Sequence, residues 1–228
     1  VSRGLGDVYK RQVAEGPWTG STLPELIGRF GAELLGKANY ARFGQEFPLL
    51  VKFIDAREDL SIQVHPDDEL ARKRHGKSGK CEMWYVLEAE PGASLLTGFS
   101  RPIAPAEYER RVADNTLTDV LNRQAIASGD VFYLPAGRVH SIGKGSFIVE
   151  IQQSSDITYR IYDFDRRDAA GNSRELHTEL AREAIDFESS ENSRITYAPE
   201  NNQEVRLVTT PYFTTSLYTL CLLYTSDA

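Results

Sequence analysis

Short strand-like segments separated by glycine- and proline-containing turns recur along this chain, and they limit the folds that it can adopt. GDVFYLPAGRVHSIG (129–143) reads as a strand, a Pro-x-Gly turn and a second strand. CEMWYVLEAEPGASLLTGF (81–99) repeats that order around a Glu-Pro-Gly turn, and SFIVEIQQSSDITYRIYDF (146–164) supplies two more strands. Helical segments are inserted between some strands and do not alternate with every strand, which disfavours a doubly wound parallel sheet. The sequence therefore predicts a mainly β fold, a sandwich or barrel with short helical insertions.

Three further segments add to this expected fold. STLPE (21–25) predicts a helix start, because hydroxyl caps are followed by proline and glutamate, and the helix is expected to end near Gly36. FPLLVKFIDA (47–56) is a dense apolar run of strand length. PAEYERRVADNTLTDVLNRQAI (105–126) is helical in pattern, with a break around Asp114-Asn115.

The two ends of the chain are expected to be foreign to the protein. One DNA spelling of DVYKRQ (7–12) is the reverse complement, in a shifted frame, of a spelling of CLLYTS (221–226). We therefore interpret both ends as translated sequencing-library adapter. Without Cys221 the only cysteine is Cys81, which has no partner for an internal disulfide, so nothing in the sequence suggests an oxidising compartment.

Charge and hydropathy exclude some classes of partner. The formal net charge is −7 and no basic tract is present, which argues against binding to nucleic acid or to an anionic membrane. No apolar run approaches the roughly 18 residues of a membrane-spanning helix. We expect a cytoplasmic protein with a small-molecule ligand, and the sequence does not determine its oligomeric state.

The stretch LSIQVHPDDE (60–69) begins with alternating apolar and polar residues, as in a half-buried strand. Its polar face carries Gln63 and His65, which are about 6–7 Å apart along a strand. Pro66 ends the strand, and Asp67-Asp68 predicts the cap of a short helix. These two side chains are either a solvated face or two ligands of one site.

A spacing further along the chain favours the second interpretation. Gly129, Pro135, Gly137 and His140 have the spacing of the second motif of the cupin jelly roll, in which the turn directs the histidine into the barrel. A first cupin motif would supply His-x-His and a glutamate on the next strand. Here the matching residues are Gln63, His65 and Glu82.

These four side chains, from Gln63, His65, Glu82 and His140, are a mixed nitrogen and oxygen set that suits Zn²⁺ or another first-row divalent ion. The alternative is a routine turn followed by a chance histidine, with Glu82 a solvated charge. The other histidines are assigned no ligand role: His75 is expected to be solvated, and His177 to lie at a helix cap or on the surface.

Four segments, in this order and spacing, resemble the short bacterial form of the type I phosphomannose isomerases. They are IQVHPDD, GKCEMWYVL, LPAGRVHSIG and DITYRIYDFDR. The resemblance extends from about Gly20 to Asp186. It implies a cupin-type double jelly roll, one zinc ion per chain, and reversible interconversion of mannose 6-phosphate and fructose 6-phosphate. By matching positions it implies zinc binding by His65, Glu82, His140 and Gln63. It likewise implies a catalytic arginine at Arg160 and an active-site lysine at Lys80.

The chain also departs from the family pattern. Lys144 stands where the second motif usually has an asparagine, and the N-terminal strands and most of the second jelly roll are absent. We therefore expect the following organisation: residues 1–12 adapter-derived, 13–187 a catalytic cupin jelly roll lacking its N-terminal part, 188–202 a linker, 203–220 the start of a truncated second jelly roll, and 221–228 adapter-derived. Within 203–220, two strands are expected around Thr210-Pro211.

Several roles stay open in this interpretation. Arg138 and Lys144, on either side of His140, are candidates for binding the substrate phosphate, with plain surface charge as the alternative. Lys80 could transfer protons if burial lowers its pKa, and otherwise it anchors the substrate. Arg160 could instead form a salt bridge with Asp163 or Asp165. The general base is not identifiable from the sequence.

Two other functions are alternatives to the isomerase. One is a non-catalytic metal- or sugar-binding cupin sensor domain. The other is a metal-dependent oxygenase, which Gln63 argues against because such sites use a His-rich set or a facial triad. The arginine and lysine motifs favour the isomerase over the sensor.

Overall fold

The N-terminal part of the chain is helical in this computed structural model, which describes residues 12–188 and 192–221. The chain divides into two units between Leu49 and Leu50. Thr22 starts the first helix with a capping box: its hydroxyl accepts from the N–H of Glu25, whose carboxylate accepts from the N–H of Thr22. Three helices follow one another: α1 Leu23–Phe30, α2 Ala32–Leu35 and α3 Lys37–Phe43. The single helix expected up to Gly36 is therefore wrong, because Gly31 takes a positive φ of 49° and ends α1.

Strands dominate the rest of the described chain. They are β1 Leu49–Ala56, β2 Ile62–Val64, β3 Glu82–Ala89, β4 Ser94–Phe99, β5 Leu121–Ala125, β6 Val131–Leu134, β7 His140–Ile142, β8 Ser146–Gln153, β9 Tyr159–Tyr162, β10 Arg194–Ile195, β11 Glu204–Thr209 and β12 Thr214–Tyr218. Three α-helices lie between them, α4 Asp68–His75, α5 Pro105–Ala113 and α6 Thr178–Ala184, together with the 3-10 helix Leu117–Val120. The predicted mainly β fold with helical insertions is confirmed.

The strands form two five-stranded sheets and a hairpin. The first sheet has the order β1-β8-β3-β6-β10, the second has the order β5-β4-β7-β2-β9, and β11 pairs with β12. Trp84, Phe132 and Ile148 of the first sheet pack with Leu95 and Ile142 of the second in one buried cluster. The inner faces of the two sheets therefore enclose a common core. Across the described residues the expected barrel consists of two facing sheets whose backbone hydrogen bonds do not join them into a ring.

Two segments differ from the sequence-based expectation. Residues 105–126 were expected to be helical, but α5 ends at Ala113 and Asn115 takes a positive φ of 56°. Residues 121–125 then form β5, which pairs with β4, since the ladder outweighs the local helical pattern. The expected linker 188–202 contributes strand β10, which pairs with β6.

One further expectation about the fold is confirmed, and others stay predictions. Strands β11 and β12 confirm the strand pair expected around Thr210-Pro211. The domain boundaries at 187/188 and 202/203 stay predictions. Residues 1–11 and 222–228 of the expected adapter segments lie outside the described residues. None of the helices within 12–188 and 192–221 has the length and apolar run needed to cross a bilayer.

Gly143 marks a close approach of two strands. Its N–H donates to the carbonyl oxygen of Ser94 over 3.1 Å, and a Cβ at this position would lie 2.2 Å from that oxygen. We expect Gly143→Ala to lower the free energy of unfolding by about 1–3 kcal/mol, because the backbone must move to make room for the methyl group. Thermal unfolding followed by circular dichroism tests this.

The control is Gly28→Ala, since a Cβ at this helical position meets nothing within 4 Å. Alanine in a helix interior should stabilise by about 0.5–1 kcal/mol. Equal unfolding midpoints for Gly143→Ala and the unmodified chain would contradict the close approach.

Candidate metal centre and its buried polar network

Polar side chains from neighbouring strands form one row across the second sheet. Thr97 of β4 pairs with His140 of β7, His140 pairs with Gln63 of β2, and Gln63 pairs with Arg160 of β9. Residues directly opposite in antiparallel strands lie on the same face of a sheet. His65, two residues beyond Gln63, belongs to that face as well. Four of the predicted site residues are thus brought together by strand register.

Glu82 reaches the same space from the first sheet, as the first residue of β3. Its Oε1 lies 3.3 Å from His140 Nε2, and its Oε2 lies 3.5 Å from His65 Nε2. Candidate ligand atoms of these three residues all lie within 4.8 Å of one another. The exposed fractions are 2% for His65, 0% for Glu82 and 1% for His140, so the cluster is fully enclosed by protein.

The hydrogen bonds of both histidines direct one ring nitrogen into the cluster. His65 Nδ1 lies 2.8 Å from the carbonyl oxygen of Ile157, and His140 Nδ1 lies 2.8 Å from that of Arg138. A carbonyl oxygen only accepts, so each Nδ1 carries the hydrogen and each Nε2 keeps its lone pair. Backbone carbonyls fix metal-binding imidazoles in this way.

The carboxylate oxygens of Glu82 have lone pairs that no hydrogen bond uses. Both of its oxygens are buried and neither accepts a hydrogen bond of acceptable geometry, although Lys80 Nζ forms an ion pair with Oε2 at 2.7 Å. Buried carboxylate oxygens are normally hydrogen-bonded. Unused oxygens beside two imidazole lone pairs are a donor set that fits a divalent metal ion.

Protonation states agree with this assignment. Burial lowers the pKa of His65 well below its usual value, and the positive charge of Lys80 adds to the effect. Burial also lowers the pKa of His140, against the opposing influence of Glu82. For Glu82, burial acts to raise the pKa, but Lys80 and His140 outweigh it and the pKa is lowered. Neutral imidazoles and an ionised carboxylate are the forms that bind metal.

Gln63 lies beside the cluster. Its Nε2 is 3.3 Å from His140 Nε2, and its Oε1 accepts from Ser61 Oγ over 3.4 Å. A half-turn of the amide would place Oε1 next to His140, where it could serve as a fourth ligand. That role stays a prediction.

Lys80 connects the cluster to a polar network that the sequence did not indicate. Its ammonium lies 3.1 Å from His65 Nε2 and 3.7 Å from Glu150 Oε1, and its side chain is 4% exposed. Lys52 Nζ donates to Glu150 Oε1 over 2.8 Å and to Gln152 Oε1 over 2.6 Å. Two ammonium groups therefore share one buried carboxylate.

The signal for this network was present in the strands. In SFIVEIQQ of β8, Glu150 and Gln152 alternate with apolar residues, which places both on one face. Trp84 opposes Glu150 in the ladder, and its Nε1–H donates to Glu150 Oε2 over 3.2 Å. Single polar residues in apolar strands, such as Lys52 in β1, can be read as inward-facing.

Burial does not lower the pKa of Lys80 overall in this arrangement, and its two possible roles, proton transfer and substrate anchoring, both stay predictions. Burial does favour the neutral amine, but the carboxylates of Glu150 and Glu82 outweigh it, and the pKa is raised. Lys80 is therefore an ammonium group in contact with the cluster.

Arg160 contacts the segment that precedes α6. Its Nη1 donates to the carbonyl oxygen of Glu175 over 2.9 Å, and its Nε is buried without a hydrogen-bond partner. The alternative of a salt bridge is not supported, since no ion pair within 12–188 and 192–221 joins Arg160 to Asp163 or Asp165. Asp163 instead pairs with Arg166 Nη2 at 2.5 Å and with Arg174 Nε at 2.7 Å.

The two predicted phosphate-binding residues are placed apart. Arg138 is only 7% exposed, and a Cβ on Gly98 would lie 2.9 Å from its Cδ, so its side chain packs across that glycine. Lys144 is exposed and lines a surface recess of about 390 Å³ together with Glu88 at the far end of β3. Glu82 and Glu88 are about 20 Å apart along the strand. The structure does not bring Lys144 to the cluster, because β7 carries the chain away from His140 before Lys144.

The remaining histidines contact β9. His75 is exposed, as expected, and its Nε2 lies 2.8 Å from the hydroxyl of Tyr159. His177 occupies the N-cap position of α6, as one of its two expected placements required.

Fold and site together define a class: a cupin-like protein with a buried His-Glu-His candidate metal centre. Residues 12–99 match the family model described as phosphomannose isomerase type I, catalytic domain. The mannose-6-phosphate isomerase of Streptococcus mutans serotype c is 38% identical over 203 residues, which are 89% of this chain and 62% of that protein. The chain is similar to the type I phosphomannose isomerases.

Two further comparisons agree. Mannose-6-phosphate isomerase ManA of Bacillus subtilis strain 168 is 40% identical over 178 residues, which are 78% of this chain and 55% of that protein. A solved structure of the mannose 6-phosphate isomerase from Bacillus subtilis matches with a TM-score of 0.80 at 35% identity, covering 89% of this chain and 64% of that one. The chain spans less than two thirds of the length of each of these relatives.

The ion pairs of Asp163 give a testable dependence of stability on pH. Burial acts to raise the pKa of Asp163, but hydrogen bonds from Arg174 and Arg166 lower it overall. A carboxylate with a lowered pKa stabilises the fold above its unfolded pKa of about 3.9, and that contribution is lost as the pH falls through the folded-state pKa.

We therefore expect Asp163→Asn to lower the free energy of unfolding at pH 7 and to flatten its decline below about pH 5. Urea titrations from pH 7 to pH 3 measure both effects. The exposed neighbour Asp165 provides the control variant Asp165→Asn. Parallel pH curves for Asp163→Asn and the unmodified chain would contradict the assignment.

Proposed function

We propose that this chain carries the active site of a zinc-dependent isomerase that interconverts the aldose mannose 6-phosphate and the ketose fructose 6-phosphate. The observation that carries the proposal is the enclosed cluster of His65, Glu82 and His140 in contact with the charged lysine Lys80. The relatives named mannose-6-phosphate isomerase support the same substrate and reaction. We also propose a cytoplasmic location, which the free, buried thiol of Cys81 supports.

The metal would be held by His65, Glu82 and His140, with Gln63 as the fourth ligand and one ion per chain. When bound, zinc supplies a Lewis acid that polarises the oxygens of the sugar. Charge stabilisation and proton transfer would depend on the side chains around the metal ion.

The reaction transfers a hydrogen between C1 and C2 through an enediol or enediolate. Negative charge develops on the carbonyl oxygen, so fixed cations beside that oxygen lower the barrier. Arg160 stands in the same row as Gln63 and His140, and its guanidinium is permanently charged and offers a planar set of donors. We assign it to binding the oxygens that gain charge.

Proton transfer requires an acid and a base near the ligands. Lys80 Nζ and Glu150 Oε1 lie 3.7 Å apart inside the protein, and Glu150 is held by Lys52 and Trp84. We propose that Glu150 accepts the proton from one carbon and returns it to the other, while the Lys80 ammonium group donates a hydrogen bond to the substrate oxygen and keeps its proton. Lys52 would then keep the Glu150 carboxylate in place between steps.

The second candidate function is a metal- or sugar-binding sensor without catalysis. A sensor needs the ligands but has no use for a buried ammonium group in contact with them, so Lys80 and Glu150 favour the isomerase. A coupled assay with mannose 6-phosphate separates the two. Stoichiometric metal without turnover would establish the sensor.

Metal content is the first prediction of this proposal. We expect about one zinc per chain by elemental analysis, and loss of both metal and activity in His140→Ala, which removes one of the enclosed imidazoles. Gln63→Ala should lose less metal, because a neutral amide binds zinc more weakly than imidazole or carboxylate. His75→Ala is the matched histidine outside the cluster and should keep its metal. A chain without stoichiometric divalent metal would overturn the assignment.

The second prediction concerns Arg160. Arg160→Ala should keep the fold and the metal while lowering kcat by about 10²–10³, the usual loss for one contact made in the transition state. Arg167→Ala, at an exposed arginine nearby, should leave kcat unchanged. Steady-state kinetics on both variants measure the effect. A raised KM with an unchanged kcat would assign Arg160 to substrate anchoring only.

A further inference from the structure

Arg160 lies on an edge strand, and this creates a requirement at its backbone. Strand β9 is the last strand in the second sheet, so its outer N–H and C=O groups face no further strand. Unpaired edge groups are normally covered or hydrogen-bonded in some other way. At Arg160 both of them are satisfied by a single residue, His177.

The two hydrogen bonds involve different parts of His177. Its backbone N–H donates to the carbonyl oxygen of Arg160 over 2.7 Å, and its ring Nδ1 accepts from the backbone N–H of Arg160 over 3.3 Å. The second bond requires the tautomer in which Nδ1 keeps its lone pair and the hydrogen is on Nε2.

This arrangement also shows which type of strand pairing joins Arg160 to Gln63. Since both backbone polar groups of Arg160 point outward to His177, its pairing with Gln63 is of the non-hydrogen-bonded type. In such pairs the Cα atoms approach to about 4.5 Å and the side chains lie closer than in hydrogen-bonded pairs. His177 therefore binds the Arg160 backbone on the side of β9 that faces away from Gln63.

The segment that carries His177 is fixed at two further points. The carbonyl oxygen of Glu175 accepts from Arg160 Nη1 over 2.9 Å, and Arg174 forms ion pairs with Asp163, one residue beyond the end of β9. The segment 174–177 thus contacts the backbone and the guanidinium of Arg160 and the carboxylate that follows its strand.

We propose that His177 is a positioning residue for Arg160, with its ring Nδ1 acting as the acceptor that fixes the Arg160 backbone. The proposal rests on the proposed function, in which Arg160 acts on the substrate. Its chemistry predicts which replacement is tolerated: the side-chain oxygen of asparagine sits at the same number of bonds from Cα as Nδ1 and accepts the same hydrogen bond. Leucine fills similar space but accepts none.

The experiment compares His177→Leu and His177→Asn in zinc-loaded protein. We expect His177→Leu to lower kcat by about tenfold to a hundredfold, because small displacements of a reacting group cost that much. His177→Asn should recover most of the loss. KM should change less than kcat in both, and metal content should be unchanged. Leu176→Ala, at the exposed neighbour in the same segment, should keep the kcat of the unmodified chain.

A double-mutant cycle separates positioning from general stability. In an Arg160→Ala background, His177→Leu should cause no further loss of kcat, because the group that it positions is already absent. An equal loss in both backgrounds, or a failure of His177→Asn to recover activity, would overturn the inference.

Failure of the parent proposal gives a different result. An unmodified chain that binds zinc but does not isomerise mannose 6-phosphate would overturn both proposals. An active unmodified chain, sensitive to Arg160→Ala but not to His177→Leu, would overturn only the role of His177.

Discussion

The buried carboxylate of Glu82 is the constraint on which the rest of the site depends. Removing an ion from water costs several kcal/mol even after the protein has relaxed around it. One ammonium group, that of Lys80, offsets part of this cost, yet neither carboxylate oxygen accepts a well-formed hydrogen bond. Two imidazole lone pairs aimed at the same space complete a donor set that a divalent cation would satisfy. The polar interior is therefore consistent with a site that is completed by a metal ion.

The two sheets contribute different parts of this site. The second sheet supplies a row of side chains fixed by strand register, from His140 through Gln63 to Arg160. The first sheet supplies Glu82 and the carboxylate of Glu150, which alternate with core residues along their strands. The proposed metal ligands and proton-transfer groups meet because the inner faces of the two sheets meet. A change in the register of any of these strands by one residue would turn its functional side chain to the opposite face.

The sequence predicted those parts of the site that have a spacing, and missed those that do not. His65, Glu82 and His140 were found because motif intervals recur within one architecture. Lys52 and Glu150 were missed because each is a single polar residue in an apolar strand, with no interval to count. Lys144 was chosen for its proximity to His140 along the chain, but it lies away from the cluster, since an extended strand moves a residue by about 3.3 Å per position.

Contacts between different strands also decided the pKa of Lys80 and the secondary structure of residues 121–125. The burial of Lys80 could be anticipated from the family resemblance, but the two carboxylates that raise its pKa come from β3 and β8. Residues 121–125 carry a helical pattern, yet they pair with β4.

The order in which these strands come together has a consequence for synthesis of the protein. Strand β2 has three residues and lies between β7 and β9, and His140 follows Gln63 by 77 residues. A nascent chain that has already emerged as far as Glu82 therefore holds three of the four proposed ligands with no sheet to orient them. The proposed metal centre therefore cannot be complete before β7, which carries His140, has left the ribosome.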